Sequence, residues 1–598
     1  MQNHSIAPEA TTSTWSKVFS LFKDYFIHSD EKLRAWALLI GTGICVVGLV
    51  ALMAAFSWWS AGFWAVLTAK ALTPFLVSMG QFSLILGAFV GISVLKNFLI
   101  QKLSILWRNW LTKKITAELF ESENNYLELK RFSPEIDNIS QRIQEDVKSF
   151  VDLALNLGAD LLNSVLTLAT FVGTLWIVGG PLAFTLLGLN VVIPGYLVWV
   201  ALILAVSATL MTHLIGKSLP AANQHVEKAE ADLRQELVQL NEEAENIAEE
   251  HAENYYKTTI NNQIEEIKIS ANEKLNTDTG LIAFQSFYSQ SAGILPNLLA
   301  APLYFSGLIE IGQLMQIGLS FTQVSMSLSW FANTYENLSK IKASIERITE
   351  LKERFEKEGL QTSPKEIVRK VQDKDSLKVK GLNIAPPRES THYILRNLSL
   401  KFMPGEHVLI KGASGLGKSS LFKAIAGTWK YGEGKISIPS GKSLYFLPQK
   451  PTLPNDTLKA VLAYPEPVTT YAEEQYSEAL MAVGRMETFI SRLDEKRNWS
   501  KELSGGQQQK IAFARVLLKK PDWLFLDEAT SSLDEESEEH VYKMVKALKT
   551  TTIISIAHRN TVEKHHSKIV FFNANEDREI KVNEHRLGDS MDSGMNLG

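Results

Sequence analysis

Three short groups in the second half of the chain carry residues able to do chemistry. The first is a glycine-rich loop of Gly412, Ala413, Ser414, Gly415, Leu416, Gly417, Lys418 and Ser419, with Ser420 opening the run that follows. The apolar run His407–Ile410 reads as a strand, and Ser420–Ala426 reads as a helix. Glycines in that setting let backbone N–H groups turn onto phosphate oxygens at the positive end of a helix. The pattern is a P-loop. Lys418 is then placed for the β- and γ-phosphates of a bound nucleotide, and the Ser419 hydroxyl for Mg²⁺.

The second group is Trp523-Leu524-Phe525-Leu526-Asp527-Glu528. Four apolar residues predict a buried parallel strand, with two carboxylates at its C-terminal end, where ligands bind in an open α/β sheet. Asp527 suits Mg²⁺ coordination, and Glu528 suits a general base for the water that attacks a γ-phosphate. An acidic pair in isolation would read as a helix cap; its position downstream of a P-loop favours catalysis. The third group is Ser504, Gly505, Gly506 and Gln507, ahead of a helix-compatible run to Leu518, which is a second anion-binding helix start.

The elements that must position these groups emerge only locally. The 598 residues carry 61 Lys+Arg against 65 Asp+Glu, a formal charge of −4, and 45% are hydrophobic. Mean hydropathy is −0.01. These averages exclude a disordered chain and a nucleic-acid binder acting through bulk charge. The one cysteine, Cys45, excludes a disulfide framework. Yet Leu161–Gly216 is 56 consecutive residues without Asp, Glu, Lys or Arg, and a bilayer crossing takes about 20. The first half is a membrane unit.

Six spans are expected: Trp36–Trp58, Phe82–Ile100, Leu161–Gly180, Gly195–His213, Thr279–Leu308 and Met315–Tyr335, with a short turn after the third. Lys17, Lys23, Lys32 and Arg34 precede the first span, and Lys102, Arg108, Lys113 and Lys114 follow the second. The positive-inside rule places both termini in the cytoplasm. The charged stretches Lys102–Ser149 and Lys217–Thr277 predict spans that continue as cytoplasmic helices. Trp15–Ser29 predicts an interfacial helix, and Trp58–Met79 a re-entrant or surface helix. The first apolar run starts after Arg34, unlike a cleavable signal peptide. The expected divisions are an N-terminal segment (1–30), a transmembrane domain (31–350), a linker (351–365), a nucleotide-binding domain (366–575) and a disordered tail (576–598).

The order P-loop, Gln449, Leu-Ser-Gly-Gly-Gln at 503–507, Asp527-Glu528, Ser532-Leu533-Asp534 and His558 resembles the nucleotide-binding domain of an ABC transporter over residues 377–573. The resemblance implies that Gln449 senses Mg²⁺ and the γ-phosphate, that His558 clamps the γ-phosphate, and that Ser532–Asp534 lies at a dimer interface. It also implies ATP held between the P-loop of one copy and the signature loop, Ser504–Gln507, of another. With one of each, the chain looks like a half-transporter that pairs with a second copy of itself. The fold implied is an α-helical six-span transmembrane domain fused to an α/β P-loop domain.

A narrower resemblance rests on residues 426–436 (Ala-Gly-Thr-Trp-Lys-Tyr-Gly-Glu-Gly-Lys-Ile), Phe446-Leu447-Pro448-Gln449, Trp107-Arg108-Asn109-Trp110, Gln141–Asp146, Glu245–Ala248 and Ser329-Trp330-Phe331. These are similar to the fatty-acyl subfamily D of ABC transporters and to the SbmA/BacA-like bacterial proteins. They imply ATP-driven movement of a fatty acid or acyl-CoA, a peptide or a cobalamin-like cargo, in a bacterial inner membrane; the short extracytoplasmic connections and the fused design argue against a periplasmic binding protein. The motifs fit an ATP-gated channel or regulatory subunit equally. Two departures stand out. Ala385 occupies the place of an adenine-stacking aromatic, so that either Tyr393 substitutes or stacking on the base is weak, and Asp137–Ser140 replaces the group's usual turn. Gln285, Ser286, Ser289, Gln290 and Ser291 in the fifth span either line a polar path or bond to other helices. His565-His566 reads as a decorated helix end rather than a metal site.

Overall fold

Helix length dominates the first half of the computed structural model, which describes residues 14–120, 125–132, 139–186, 189–358, 366–387, 393–574 and 580–586. Contacts divide the backbone into two units: Met1–Glu121 with Ile136–Phe355, and Ser122–Glu135 with Glu356–Gly598.

In the first unit the helix Leu72–Phe120 has 49 residues and Glu253–Phe305 has 53. At 1.5 Å per residue these are about 74 and 80 Å long, more than twice the ~30 Å of a hydrocarbon core. The spans therefore run on into the charged segments, as their Glu-, Lys- and Ala-rich composition predicts. Four helices among the described residues are long and apolar enough to cross a membrane, within Lys32–Thr68, Leu72–Phe120, Ile139–Val178 and Tyr196–Gly216. The fifth and sixth expected spans lie on Glu253–Phe305 and across Ile311–Leu328 and Trp330–Glu358. Gln285, Gln290 and Asn297 dilute the former, and the latter is interrupted at Ser329.

Three local expectations need correction. No re-entrant or surface helix separates the first two spans: Lys32–Thr68 and Leu72–Phe120 run through that stretch and meet at Ala69–Ala71, where Lys70 takes φ 54°. The connection after the third span is not a short turn. Leu182–Leu186 pairs antiparallel with Leu189–Ile193, because β-branched and aromatic residues there favour strand over turn. Gly195, between that hairpin and the helix Tyr196–Gly216, takes φ 59°, where an added Cβ would lie 2.2 Å from the Trp176 ring. Finally, the helix Thr14–Phe26 buries Leu21, Tyr25 and Phe26 within its own unit. Tyr25 stacks on Trp107 at 5.7 Å, and Asp24 pairs with Lys114 and Lys352 at 2.9 and 3.1 Å. An amphipathic helix with such partners packs on protein rather than lying free at an interface.

The second unit holds a six-stranded sheet in the order Ile580–Arg586, Lys568–Ala574, Val408–Gly412, Thr552–Ile556, Trp523–Asp527, Leu444–Leu447. Every neighbouring pair is parallel except the edge strand Ile580–Arg586. That edge corrects the expected tail: residues 580–586 form a strand, and the rest of 576–598 lies outside the described residues. The linker is likewise shorter than expected, since Trp330–Glu358 is one helix; residues 359–365 and the turn at Asp137 lie outside the described residues. A second sheet, ordered Val368–Gln372, Gly432–Pro439, Leu377–Ile384, Leu395–Phe402, completes the unit. Near-continuous apolar strands such as Trp523–Leu526 are buried on both faces, as parallel strands are. All the parallel strands end on one edge, and the three candidate groups of the sequence are drawn to it.

Candidate nucleotide-binding and hydrolysis site

Val408–Gly412 delivers its chain into the loop that Gly417 closes at φ 80° before the helix Lys418–Ala426. An L side chain at Gly417 would be strained, and its Cβ would press on Ile394 at 3.1 Å. The Lys418 ammonium is buried inside the loop and donates to the carbonyls of Gly412 and Ala413 at 2.8 and 2.7 Å. Burial lowers its pKa, and the carboxylates of Glu528 and Asp527 pull it back up.

Trp523–Asp527 lies two strands away from the P-loop strand. Asp527 is level with Ile556, and Ile556 with Ile410, two residues before the P-loop begins. This register explains why Ser419 Oγ donates to Asp527 Oδ1 at 2.9 Å across 108 residues of sequence. Asp527's pKa is raised, chiefly by burial; the Ser419 hydrogen bond opposes this and the Glu528 charge adds to it.

Glu528 leaves the strand at φ 51°, a left-handed conformation costing about 1 kcal/mol or more for a residue with a Cβ. Its N–H donates to Ile556 O at 2.9 Å, which keeps the turn against the next strand. The carboxylate is thereby held between two loops: Gln449 Nε2 donates to Oε2 at 3.4 Å, and His558 Nε2 lies 3.3 Å from Oε1. Lys418, Ser419, Asp527, Glu528, Gln449 and His558 thus form one connected group.

Ser504–Gln507 stands apart from it. Ser504 caps the helix Gly505–Lys519 by accepting from Gln507 N at 3.3 Å, while Gln507 Oε1 accepts from Ser504 N at 2.9 Å. A Cβ on Gly506 would lie 3.0 Å from Ser532 O, so the signature loop abuts the 532–534 segment of its own chain. Among the described residues no hydrogen bond or ion pair joins 504–507 to 412–420. Asp534 caps the next helix through Ser537 N at 2.7 Å.

Several residues here escaped the motif reading. Gln509 is buried, donates to Gln449 O at 3.1 Å and to Ser531 Oγ at 3.3 Å, and accepts from Ser532 N at 3.0 Å. Glu538 is 2% exposed and accepts from Thr530 and Thr561 at 2.7 and 2.6 Å. Arg559, beside His558, donates to Leu533 O at 2.7 Å and Ser531 O at 3.0 Å. A Gln two residues beyond the signature loop and a Glu on the face of a helix carry no distinctive spacing.

The helix Asn125–Phe132 also belongs to this unit, although its sequence lies between the second and third spans. Arg131 lies 4.9 Å from the Trp429 ring and donates to Thr428 O at 2.7 Å. The Tyr431 hydroxyl donates to Glu128; burial, then that carboxylate, raise the tyrosine's pKa. Trp429 Nε1 in turn donates to Ala385 O at 3.0 Å. Ala385 is buried, so the position expected to stack on adenine serves instead as an anchor for Trp429. Tyr393, the substitute, donates to Glu433 at 3.0 Å, with the Arg396 guanidinium 5.3 Å from its ring. His565 and His566 do end a short helix, Asn560–His565, and both are buried: His565 stacks on Tyr542 at 5.0 Å.

A parallel sheet with a P-loop, an adjacent Asp-Glu strand end and a signature helix, following long apolar helices, defines a membrane protein powered by ATP. The family described as "ABC transporter transmembrane region 2" matches residues 21–305, and "ABC transporter" matches 395–531. The inner membrane ABC transporter ATP-binding protein YddA of Escherichia coli (strain K12) is 32% identical over 548 residues, 91% of this chain and 95% of that protein. The lysosomal cobalamin transporter ABCD4 of Homo sapiens is 28% identical, over 79% of this chain and 81% of its own length. A bacterial Atm1-family ABC exporter with ATP bound shares the fold at a TM-score of 0.71 and 19% identity, over 93% of this chain and 96% of that one. The chain belongs to the ABC transporter family. It is an ATPase of ATP-driven membrane transport.

Proposed function

We propose that this chain is one half of a homodimer that couples ATP binding and hydrolysis to movement of a solute across a bacterial inner membrane, with six spans and both termini in the cytoplasm. The observation that carries the proposal is the placement of the Glu528 carboxylate between Gln449 and His558, one residue beyond the Ser419–Asp527 hydrogen bond. Lys418 and the N–H groups of 412–420 hold the phosphates. Glu528 orients and deprotonates the attacking water. His558 donates toward the γ-phosphate, and Gln449 reports its presence to the loop behind it. The hydroxyl, carboxylate and amide oxygens of Ser419, Asp527 and Gln449 are the hard donors that Mg²⁺ takes. When bound, the ion would supply neutralising charge to the β- and γ-phosphates.

A second copy is favoured because Ser504–Gln507 faces its own Ser532 rather than its own P-loop, which leaves the signature loop to serve a partner. Asn125–Phe132, gripped by Thr428–Tyr431, provides the mechanical link to the second and third spans. Gln285, Ser286, Ser289 and Gln290 are exposed, and among the described residues no side-chain hydrogen bond engages them, which supports a polar path over helix–helix bonding. The resemblance of the sequence implies a fatty acid or acyl-CoA, a peptide or a cobalamin-like cargo, and the name of the ABCD4 relative, a lysosomal cobalamin transporter, supports the last of these. An ATP-gated channel is the alternative. ATP-dependent accumulation of such a solute in proteoliposomes, lost in Glu528→Gln, supports the transporter; passive flux opened by unhydrolysed ATP supports the channel.

A further inference from the structure

The cytoplasmic continuations of the second and third spans enclose a polar cavity of about 350 Å³, the lower end of the range for small-ligand sites. Its wall carries Arg108 and Lys148 with the carboxamides of Asn97, Gln101, Asn109 and Asn156. Among the described residues no carboxylate lies within 4 Å of either cation. The carboxylate in the wall, Asp152, is engaged by the Ser104 hydroxyl of the opposite helix. Two cations against one carboxylate leave the wall with a net positive charge, beside the carboxamides of Asn97, Gln101 and Asn109, while Asn156 Nδ2 also donates to Asp152 O of its own helix at 2.8 Å.

An apolar surface beside it runs along the second span's helix toward the membrane. Val94 and Phe98, one turn apart on the side of that helix next to Gln101 and Ile105, are 65% and 61% exposed. Charge-bearing cavity and apolar track together match a phosphate head and an acyl tail. Basic pockets between spans on the cytoplasmic side bind anionic headgroups. From Asn97 to Arg108 the helix rises about 16 Å, beginning at the end of the second span's apolar run. The cavity therefore lies at and just beyond the headgroup layer.

We infer that this cavity holds the headgroup of an anionic phospholipid of the cytoplasmic leaflet, with Arg108 and Lys148 on the phosphate and the carboxamides on its remaining oxygens. The inference rests on the orientation proposed above. A bound lipid there bridges the two helices that lead to Asn125–Phe132, so it affects turnover as well as stability.

The test compares the full-length protein with Arg108→Gln/Lys148→Gln in nanodiscs of phosphatidylcholine alone and with added phosphatidylglycerol. Native mass spectrometry counts retained lipid, and ATP turnover is measured in parallel. Losing two cations at a membrane surface is expected to weaken phosphatidylglycerol retention about 30-fold. Phosphatidylglycerol should raise turnover in the wild-type protein and not in the double variant, with basal turnover in phosphatidylcholine unchanged. Equal retention and equal response in both proteins overturn the site. Stimulation by soluble dodecyl phosphate but not by phosphatidylglycerol overturns the lipid and points to a solute subsite. Glu528→Gln in the same discs separates the two claims: it abolishes turnover if the ATP site is read correctly, whatever the lipid does.

Discussion

The imidazole of His558 lies 3.3 Å from the carboxylate of Glu528, although the two residues leave different strands and are 30 positions apart. That contact holds the carboxylate's direction while the strained backbone of Glu528 holds its place. His558→Ala should lower the maximal ATP turnover about 100-fold or more, the usual cost of one preorganised transition-state donor. The KM for ATP should change only a few-fold, because the P-loop is untouched. Steady-state ATPase kinetics check this; wild-type turnover in the variant would remove His558 from the site.

Asp527 gives the site an acid limb. Its folded pKa is raised, so it takes up a proton at a higher pH than an ordinary carboxyl, and only the ionised form can serve a divalent cation. Mg²⁺-dependent nucleotide binding should therefore weaken on acidification before ordinary carboxyls titrate. Asp527→Asn should bind weakly at every pH and lose that dependence. Titrating Mg²⁺ against fluorescent ATP over a pH series measures both.

Gln509 and Glu538 act through others. Gln509 ties the Gln449 backbone to Ser531 and Ser532, and Glu538 ties Thr530 to the loop after His558. Gln509→Leu and Glu538→Gln should each cut kcat several-fold while leaving KM for ATP near wild type, since neither touches the P-loop. A purely structural role would instead appear as a lower thermal midpoint with unchanged kinetics in the folded fraction.

The grip on Asn125–Phe132 should be separable from hydrolysis. Arg131→Ala removes a cation–π contact and a charged hydrogen bond, and Tyr431→Phe removes the bond to Glu128. Basal ATPase should persist in the double variant while solute movement in proteoliposomes falls about tenfold, the effect of losing ~1.4 kcal/mol of coupling. Transport and ATPase falling in equal proportion would show that the contact supports hydrolysis rather than coupling.

His566 makes the ATPase unit acid-sensitive. Its Nε2 meets Ser555 Oγ at 2.8 Å and its Nδ1 meets Val562 O at 2.9 Å. Burial, the largest cause, lowers its pKa from 6.5 to about 4. The folded protein thus binds fewer protons than the unfolded chain between those values. The stability concerned is fully present above pH 6.5 and is lost as pH falls toward 4, by up to about 3 kcal/mol. His566→Gln, which carries no titrating proton, should flatten the thermal midpoint over that range. An unchanged slope would point to other groups.

What was legible in the sequence is what depends on neighbours along the chain. The P-loop reads from its own glycines, lysine and serine, since a strand–loop–helix junction needs those residues in that order. Asp527-Glu528 reads from four apolar residues and a position after the P-loop. The hairpin at Leu182–Ile193 did not, because an uncharged stretch looks alike as span, turn or strand. Nor did the edge strand Ile580–Arg586, whose polar residues need only pair backbone with Lys568–Ala574. Ala385 is a third case: the absent aromatic is visible in the sequence, but the use of its carbonyl to anchor Trp429 depends on a contact 44 residues away.

By itself, then, the sequence determined the membrane unit, the phosphate loop and the candidates for the catalytic and cation-binding roles, because composition and short-range spacing act within a few residues. Only the tertiary structure decided which of them meet. Register across parallel strands put Ser419 on Asp527, and a left-handed turn put Glu528 between Gln449 and His558. Packing joined Glu128 to Tyr431 across 303 residues. Such pairings are set by the burial of whole strands and helices, which no local pattern encodes.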